Sequence, residues 1–478
     1  MNAWKQAICS NVDARENRYT QLSDAIWDRP ELNFGEDFAA DALCALLEEE
    51  GFRLTKNLDH LPNAFRAEYG SGSPVIAFLG EYDALSSLSQ KAGCAVREAL
   101  KPGAPGHGCG HNLLGVGAAA AAIALKNLIA TGKTQGTVLF LGCPAEETGS
   151  AKAFLARDGY FDGIDAMLTW HPWDYNGIWP GSSLANVKLI FRFRGQSAHA
   201  ASSPHLGRSA LDALELMNVG VQFLREHVPD DTRIHYAITD AGGTSPNVVQ
   251  NYAEAVYLVR SQRLHDLEDI KNRVIDCARG AAIMTGTQME MEFVKGCSNI
   301  LPNFVMEEVL IAAMQEIGVP QYTPEELALA AQLHNALEAP ETTLDKITRL
   351  CPSQVREEIL AHQGEPLYTF IAPHTPSDTP IIPVSTDVGD ASWCAPTSQV
   401  SCAAWAADTP AHSWQAVAIG KSSVAHKAML LAAKTLALTG ARLMTDDALL
   451  ARAKAEHKRR TDKTPYRCPV PPGLMPKF

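Results

Sequence analysis

The segment TVLFLGCPAEE (137–147) is an apolar run that ends in two adjacent carboxylates. Two similar runs, PVIAFLGEYD (74–83) and AMLTWHP (166–172), lie before and after it in the chain. Between the first two runs, residues 113–130 are rich in Ala and Gly, which is typical of a helix packed closely on a sheet. Apolar runs that alternate with helices predict an α/β fold with a mostly parallel sheet covered on both faces.

Polar side chains follow each predicted strand at its carboxyl end. Asp83 ends the first run, Glu146 and Glu147 end the second, and His171 ends the third. In open α/β sheets, ligands bind outside the carboxyl ends of the strands. The sequence therefore predicts a functional site at this edge of the sheet.

The pattern changes near residue 186 and indicates an inserted domain. Strand-like and helical segments follow one another there, at 187–195, 209–226, 234–243, 252–261 and 265–283. This order predicts a small α+β sandwich at 186–296, which interrupts a catalytic domain made of 1–185 and 297–478. Residues 320–380 are not assigned to any element.

Composition limits the classes of function. The 478 residues carry 41 basic and 54 acidic side chains, a net charge of −13 that argues against a nucleic-acid partner. The N-terminus has no basic region followed by an apolar run, and we expect neither a secretory signal nor a membrane span. Eleven cysteines without a CxxC pair then predict reduced thiols and a cytoplasmic protein.

Two short motifs carry candidate metal ligands. GHGCGHN (106–112) places Cys109 and His111 two residues apart at the start of the predicted helix, and both side-chain types bind zinc. The alternative is a glycine-rich helix start with a buried thiol. In PAEETG (144–149), one carboxylate can bind a metal while its neighbour acts as a general base. The alternative there is a solvated acidic turn.

Three histidines are weaker candidates when each is considered alone. His171 ends a strand in WHP, a position at which a histidine is more often structural than a ligand. His412, in DTPAHSW, and His426, in SSVAHKAM, lie late in the chain. Together with the cysteine and the carboxylates, His171 and His412 complete a ligand set of the right types, and His426 remains the alternative to His412.

These motifs, taken in order, resemble the M20 metallopeptidase family in its amidohydrolase branch, subfamily D. The resemblance covers nearly the whole chain and rests on the succession DAL, GHGCGH, PAEE, WHP, GQSAHAASSPH, GGTSPNVV and AHSW. Further motifs resemble the aminobenzoyl-glutamate utilization protein B group: SPHLGRSALDA, SPNVVQ, STDVGD and AHKAMLLAAKT. The resemblance implies a zinc-peptidase-like catalytic domain and a smaller lid domain that commonly dimerises.

The resemblance also implies roles at a site for two divalent metal ions, Mn²⁺ or Zn²⁺. Cys109 matches the ligand that bridges the two metals. The remaining ligands would divide between the two sides, His111 with Glu147 and His171 with His412. Glu146 matches the general base. Asp83 matches a residue that orients a metal ligand from behind, and carboxylates commonly do this by hydrogen-bonding to a ligand histidine.

Three lid residues match positions that act on the substrate. His199, in GQSAHAA, is expected to reach the partner subunit's active site and to stabilise the oxyanion. Asn247, in SPNVV, and Arg260, in YLVRS, match positions that hold the substrate carboxylate or the oxyanion.

The chain departs from the family pattern at three places. Asn112 stands where Asp is common, which removes one charge near the ligands. Glu81 stands where the exopeptidase branches place a metal-binding His, which favours the cysteine-type site. The segment WDYNG (173–177) after WHP is unusual, and we expect the substrate pocket to differ there.

The sequence thus predicts a metal-dependent hydrolase of an N-acyl amino acid, with p-aminobenzoyl-glutamate as the leading substrate. Another N-acyl amino acid or a dipeptide is the first alternative. The second is a non-catalytic partner subunit that has kept the fold, although the intact ligand set and Glu146 argue against it. Either a homodimer or a heteromer with a related subunit is expected.

Overall fold

The computed structural model describes residues 2–58, 61–179, 181–338, 342–350, 353–378 and 381–476. The strands are β1 Arg53–Lys56, β2 Phe65–Ser71, β3 Val75–Glu81, β4 Gly136–Cys143, β5 Ala166–Trp173, β6 Gly177–Ile178, β7 Ala185–Arg194, β8 Arg233–Asp240, β9 Tyr252–Ser261, β10 Gln288–Cys297 and β11 Thr397–Ala403. The helices are α1 Asn2–Asp13, α2 Glu16–Trp27, α3 Asp37–Glu49, α4 His111–Ala130, α5 Ala151–Arg157, α6 Ala210–Leu224, α7 Leu264–Thr285, α8 Phe304–Ile317, α9 Pro324–Asn335, α10 Thr343–Leu350, α11 Ser353–Leu360, α12 Val388–Cys394, α13 Trp414–Ile419, α14 Ser423–Thr445 and α15 Asp447–Thr461.

A seven-stranded central sheet has the order β1-β2-β4-β3-β5-β11-β6. Its four inner strands, β4, β3, β5 and β11, are parallel, whereas the outer strands pair antiparallel. The three strands predicted from the apolar runs are all present, as β3, β4 and β5. The expected α/β fold with a mostly parallel centre is confirmed, and the carboxyl ends of the inner strands share one edge of the sheet.

Helix α4 is buried along its length against the central sheet and α14. Two of its glycines permit this approach, because a Cβ on Gly115 would lie 2.7 Å from the Glu81 carbonyl oxygen and one on Gly117 would lie 2.7 Å from the Trp170 indole nitrogen. Among the described residues, α4 is the one helix long and apolar enough to cross a membrane. Its burial identifies it as a core helix, as the sequence predicted.

A second, four-stranded sheet has the order β10-β7-β9-β8 and is antiparallel throughout. Helices α6 and α7 pack on it and on each other. We propose that this unit is the lid domain, with the boundaries at 186 and 296 that the sequence predicts. We call it the lid sheet below.

The segment 320–380, which the sequence left unassigned, contains the three short helices α9, α10 and α11. A capping box starts α9, in which the Thr323 side chain accepts from the Glu326 amide and the Glu326 side chain accepts from the Thr323 amide. Residues 339–341, 351–352 and 379–380 of this segment lie outside the described residues.

A buried lysine joins three elements at the functional edge of the central sheet. The Lys152 ammonium, at the start of α5, lies 2.6 Å from the Glu81 carboxylate at the end of β3 and 2.6 Å from the Asp387 carboxylate at the start of α12. The Lys152 side chain is fully buried, and those of Glu81 and Asp387 are 3% and 0% exposed. One cation between two carboxylates therefore fixes the relative positions of β3, α5 and α12.

Replacing Lys152 by Met should destabilise the protein by about 3–5 kcal/mol, because two buried carboxylates lose their cation. The free energy of unfolding, measured by urea denaturation, tests this. A matched control is Lys458→Met, which breaks the exposed pair with Asp462 and should cost no more than about 1 kcal/mol. Equal stability losses for the two variants would contradict the structural role of Lys152.

Candidate metal centre

Five candidate ligands converge at the carboxyl edge of the central sheet and form two clusters that share Cys109. One cluster contains Cys109, His111 and His171, and the other contains Cys109, Glu147 and His412. In each cluster the candidate ligand atoms lie within 4.8 Å of one another. The shared thiol is placed as a ligand bridging two ions would be. The grouping differs from the expected division, since His171 lies with His111 and Glu147 lies with His412.

The backbone brings these side chains together from four separate segments. Cys109 lies on the loop before α4, His111 is the first residue of α4, Glu147 follows β4, and His171 lies near the end of β5. His412 lies between β11 and α13 with a positive φ of 60°. Its amide donates to the Gly108 carbonyl at 3.0 Å, which attaches this late loop to the loop that carries the cysteine.

The Asp83 carboxylate supports two of the ligands from behind. One of its oxygens accepts from His111 Nδ1 at 2.8 Å, and the other accepts from the Glu147 amide at 2.9 Å. Asp83 is 1% exposed, so both bonds are shielded from water. A histidine whose Nδ1–H is held by a carboxylate presents its Nε2 lone pair for coordination.

Two buried ligand atoms, His111 Nε2 and Glu147 Oε1, have no hydrogen bond among the described residues, and a third, His171 Nε2, has only the Cys109 thiol as a partner. Glu147 Oε1 lies 3.1 Å from His412 Nε2. In the His171 ring, Nδ1 lies 2.7 Å from the Pro172 carbonyl oxygen. The other ring nitrogen, Nε2, lies 3.5 Å from the Cys109 sulfur. Buried polar atoms that lack partners are costly. This donor set of thiol, imidazole and carboxylate fits divalent metal ions, which would satisfy these atoms.

The two adjacent glutamates differ in their electrostatic environment. Burial raises the pKa of Glu146 well above its usual value, and the nearby carboxylates of Glu81 and Glu147 raise it further. Burial acts in the same direction on Glu147, but the close His412 ring and the charge of His111 lower its pKa to about 2. The surroundings therefore favour the ionised form of Glu147 and the neutral form of Glu146.

The alternative ligand and the departures from the family pattern have other partners. His426 lies on α14, and its Nε2 pairs with Asp24 at 2.9 Å, so it belongs to neither ligand cluster. Asn112 donates to the Ser23 hydroxyl and to the Gly420 carbonyl. These two acceptors suit an amide, and an aspartate in this position would have no proton to donate to them.

The three lid residues lie at opposite ends of the lid sheet. The loops of His199 and Asn247 meet, because the Ala200 amide donates to the Asn247 carbonyl at 3.0 Å, and both side chains are exposed. The loop of Asn247 ends at Tyr252, the first residue of β9, and Arg260 lies eight positions further along that strand. Eight residues of strand at about 3.4 Å each span roughly 27 Å. One chain therefore does not bring His199 and Arg260 together.

A lysine and two indoles that the motifs did not indicate lie beside the candidate ligands. Lys295, in β10, donates its ammonium to the Glu147 carbonyl at 2.7 Å. The rings of Trp173 and Trp179 pack against the His171 ring, with centroids 5.7 and 5.6 Å away. The unusual segment after WHP was a signal for Trp173, whereas nothing in the sequence links Lys295 to residue 147.

Comparison with known proteins agrees with this geometry. The model of the peptidase family M20/M25/M40 matches residues 77–336. The chain is 47% identical over 467 residues to one of the subunits of the p-aminobenzoyl-glutamate hydrolase of Escherichia coli (strain K12), with 97% of each chain covered. It is 32% identical over 329 residues to the Xaa-Arg dipeptidase of Mus musculus, with 66% of this chain and 70% of the relative covered.

A solved structure shows the same fold. It is the dinuclear metal binding peptidase of the M20 family from Bacillus subtilis, with a TM-score of 0.56 at 17% identity over 90% of this chain and 99% of that chain. The family expected from the motifs is confirmed, and with it a metal-dependent hydrolase that acts on amide bonds. The chain belongs to the peptidase family M20/M25/M40.

Proposed function

We propose that this hydrolase cleaves the amide bond of N-acyl glutamates, and that p-aminobenzoyl-glutamate is its leading substrate. The observation that carries the chemistry is the pair of ligand clusters sharing Cys109, with Glu146 directly before one of the ligands. The substrate follows from the 47% identity to a p-aminobenzoyl-glutamate hydrolase subunit over nearly the whole chain.

The metal ions in this proposal are Mn²⁺ or Zn²⁺, held by Cys109, His111, Glu147, His171 and His412. Two bound ions would polarise the amide carbonyl and lower the pKa of the attacking water. Thiolate and imidazole suit Zn²⁺, whereas carboxylate and imidazole also suit Mn²⁺. Reduced thiols would keep Cys109 available, which accords with a cytoplasmic location.

Glu146 is the general base in this mechanism. Its carboxylate accepts a proton from the attacking water as the oxygen adds to the amide carbonyl carbon, and it then gives a proton to the leaving nitrogen as the C–N bond breaks. The Glu146 carboxyl lies within 4.8 Å of a ring nitrogen of His111, as a base beside the metal centre requires. Asp83 contributes by fixing the His111 ring and the Glu147 backbone.

His199 acts in the site of a second subunit in this proposal. Its Nδ1 accepts from the amides of Ala201 and Ser202, so its Nε2–H is available to stabilise an oxyanion. His199 and Asn247 lie exposed at one end of the lid sheet, while Lys295 in β10 bonds to the metal centre of the same chain. This separation favours action across an interface, and the relative named as a subunit favours a related chain as partner.

The glutamate part of the substrate carries two carboxylates, for which the chain offers Arg260. Its Nε is buried and lacks a hydrogen-bond partner among the described residues. A guanidinium binds a carboxylate through two parallel charge-assisted hydrogen bonds. Arg260 and Asn247 are thus proposed to hold the carboxylate or the oxyanion, with Asn247 coming from the partner.

Dipeptide hydrolysis is the second candidate, favoured by the 32% identity to an Xaa-Arg dipeptidase. The side chain of that leaving residue is cationic, and a cationic Arg260 would repel this side chain where it attracts the second carboxylate of glutamate. Parallel assays with p-aminobenzoyl-glutamate and Ala-Arg therefore separate the two candidates. Cleavage of Ala-Arg alone would exclude the glutamate substrate and keep the amidohydrolase chemistry.

Removing the shared ligand should remove metal and activity together. Cys109→Ala is expected to bind less metal and to lose hydrolysis, because both clusters lose a ligand. Metal content by mass spectrometry and turnover measure this, and a chelator should inactivate the native protein until divalent metal is restored. The control is Cys277→Ala, on α7, which should keep both properties. Full metal content with full activity in Cys109→Ala would exclude the bridging role.

Purified protein with Mn²⁺ or Zn²⁺ should release p-aminobenzoate from p-aminobenzoyl-glutamate. Glu146→Gln should keep its fold and its metal but lose at least about a hundredfold in kcat, because the base is gone. Glu48→Gln, exposed on α3, is the control and should behave as wild type. Near-normal turnover of Glu146→Gln at saturating metal would show that another group is the base.

Mixing two inactive chains tests the role of His199 across the interface. His199→Ala and Glu146→Gln chains should each be poorly active, and a mixture should recover part of the activity. One of the two sites in a mixed dimer would have both groups intact. No recovery, despite subunit exchange demonstrated by mass spectrometry, would mean that His199 acts in its own chain or not at all.

A further inference from the structure

An aromatic wall, which we define as Trp173 and Trp179, lies beside His171. The two indoles are in edge contact, with centroids 5.3 Å apart and planes 78° apart. Behind them lies the fully buried Trp405, whose ring centroid is 5.6 Å from that of Trp173. Because side chains alternate along a strand, Trp173 extends from the same face of β5 as His171.

The wall borders the metal centre and retains some exposure. His171 and Trp173 are both partly exposed, although each lies in an otherwise buried strand. Trp179 is 7% exposed, and its amide donates to the Gln399 carbonyl, which fixes the segment after β6 against β11. An acyl carbon positioned for attack must lie at the ligand clusters. A ring bonded to that carbon can reach the indoles, because both pack against the His171 ring.

The hydrogen bonding of the buried indoles differs from one tryptophan to another. The buried tryptophans Trp27, Trp170 and Trp393 each donate Nε1–H to a backbone carbonyl. Trp179 and Trp405 are buried as well, but their Nε1 atoms have no partner among the described residues. Buried indole N–H groups usually have an acceptor. Trp179 is thus the member of the wall whose donor lacks an acceptor among the described residues.

The two sides of the metal centre differ in charge. On the side of Glu147, Lys295 brings an ammonium to the Glu147 carbonyl. On the side of His171, the uncharged indoles of the wall pack against the imidazole, and the carboxylate of Glu81 is a charged group near it. A substrate with an acidic leaving group and an uncharged aromatic acyl group matches this asymmetry, with the acid toward Lys295 and the ring toward the wall.

We propose that Trp173 and Trp179 form a subsite for a flat aromatic acyl group and set the preference of the enzyme for aryl over alkyl acyl chains. This rests on the proposed function, because it takes an N-acyl glutamate as the substrate. The ring packs against the wall, while the amide carbonyl lies at the ligand clusters. The two indoles act on the specificity of the reaction and take no part in proton transfer.

The test compares two substrates with the same leaving group, p-aminobenzoyl-glutamate and N-acetyl-glutamate. In Trp173→Leu and Trp179→Leu, kcat/KM for the aryl substrate should fall about tenfold, the upper range for a lost aromatic contact, while that for the acetyl substrate changes less than about twofold. Trp173→Phe should keep most of the preference because it keeps a ring. Trp4→Leu, on α1, is the control for loss of a tryptophan.

A fall of the same size for both substrates would assign the indoles a packing role and overturn the proposal, as would no change for either. A variant-free measurement covers the case in which the leucine variants fail to fold. Calorimetry on the metal-loaded wild-type protein should show p-aminobenzoate binding several-fold more tightly than cyclohexanecarboxylate, because a flat ring fits the wall. Equal affinities would overturn the subsite.

That binding result also separates the subsite from the proposed function. If the wild-type protein cleaves neither N-acyl glutamate, the proposed function is wrong. The subsite is then supported if p-aminobenzoate binds more tightly than cyclohexanecarboxylate and Trp179→Leu abolishes this difference in affinity. It is overturned if either result fails. If both substrates are cleaved but the wall variants keep the aryl preference, the function stands and the subsite is wrong.

Discussion

The Asp83 carboxylate fixes the position of one ligand in each of the two clusters, His111 and Glu147. It follows β3, and its two oxygens bind a side chain at the start of α4 and a backbone amide after β4. These elements belong to separate segments of the chain. Because the parallel strands end at one edge, a single short carboxylate reaches both partners. The orientation of His111 and the position of Glu147 therefore depend on the same group.

Several carboxylates lie close together at one edge of the sheet and repel one another. The buried ammonium of Lys152 offsets this repulsion. Glu81, Glu146 and Asp387 mutually oppose ionisation, and Lys152 acts against this for all three. The lysine also explains why a glutamate is tolerated beside the ligands, where Glu81 lies 3.3 Å from His111 Nε2. Metal ions would add positive charge on the other side of the same cluster. The negative charge of these carboxylates is thus offset by Lys152 within the fold and would be offset further by bound metal ions.

Local sequence signals predicted the central sheet and the candidate ligands, because apolar runs and short motifs report on neighbouring residues. They could not predict contacts between residues that lie far apart in the sequence and meet only in the folded chain. Lys152 lies 235 positions from Asp387, and Lys295 lies 148 positions from Glu147. The pairing of β7 with β9 likewise decides that Arg260 and His199 lie at opposite ends of the lid sheet. The division of ligands into clusters differs from the expected one for the same reason, since it depends on side-chain positions in space.

A thiolate shared by two metal ions is the central feature of the proposed site, and X-ray absorption spectroscopy at the zinc edge tests it most directly. Protein loaded with two equivalents of Zn²⁺ should show a sulfur neighbour at about 2.3 Å with an average of one per zinc, because a bridging Cys109 contacts both ions. An average of one half would mean that only one ion contacts the thiolate. A spectrum with nitrogen and oxygen neighbours alone would contradict the bridging site altogether.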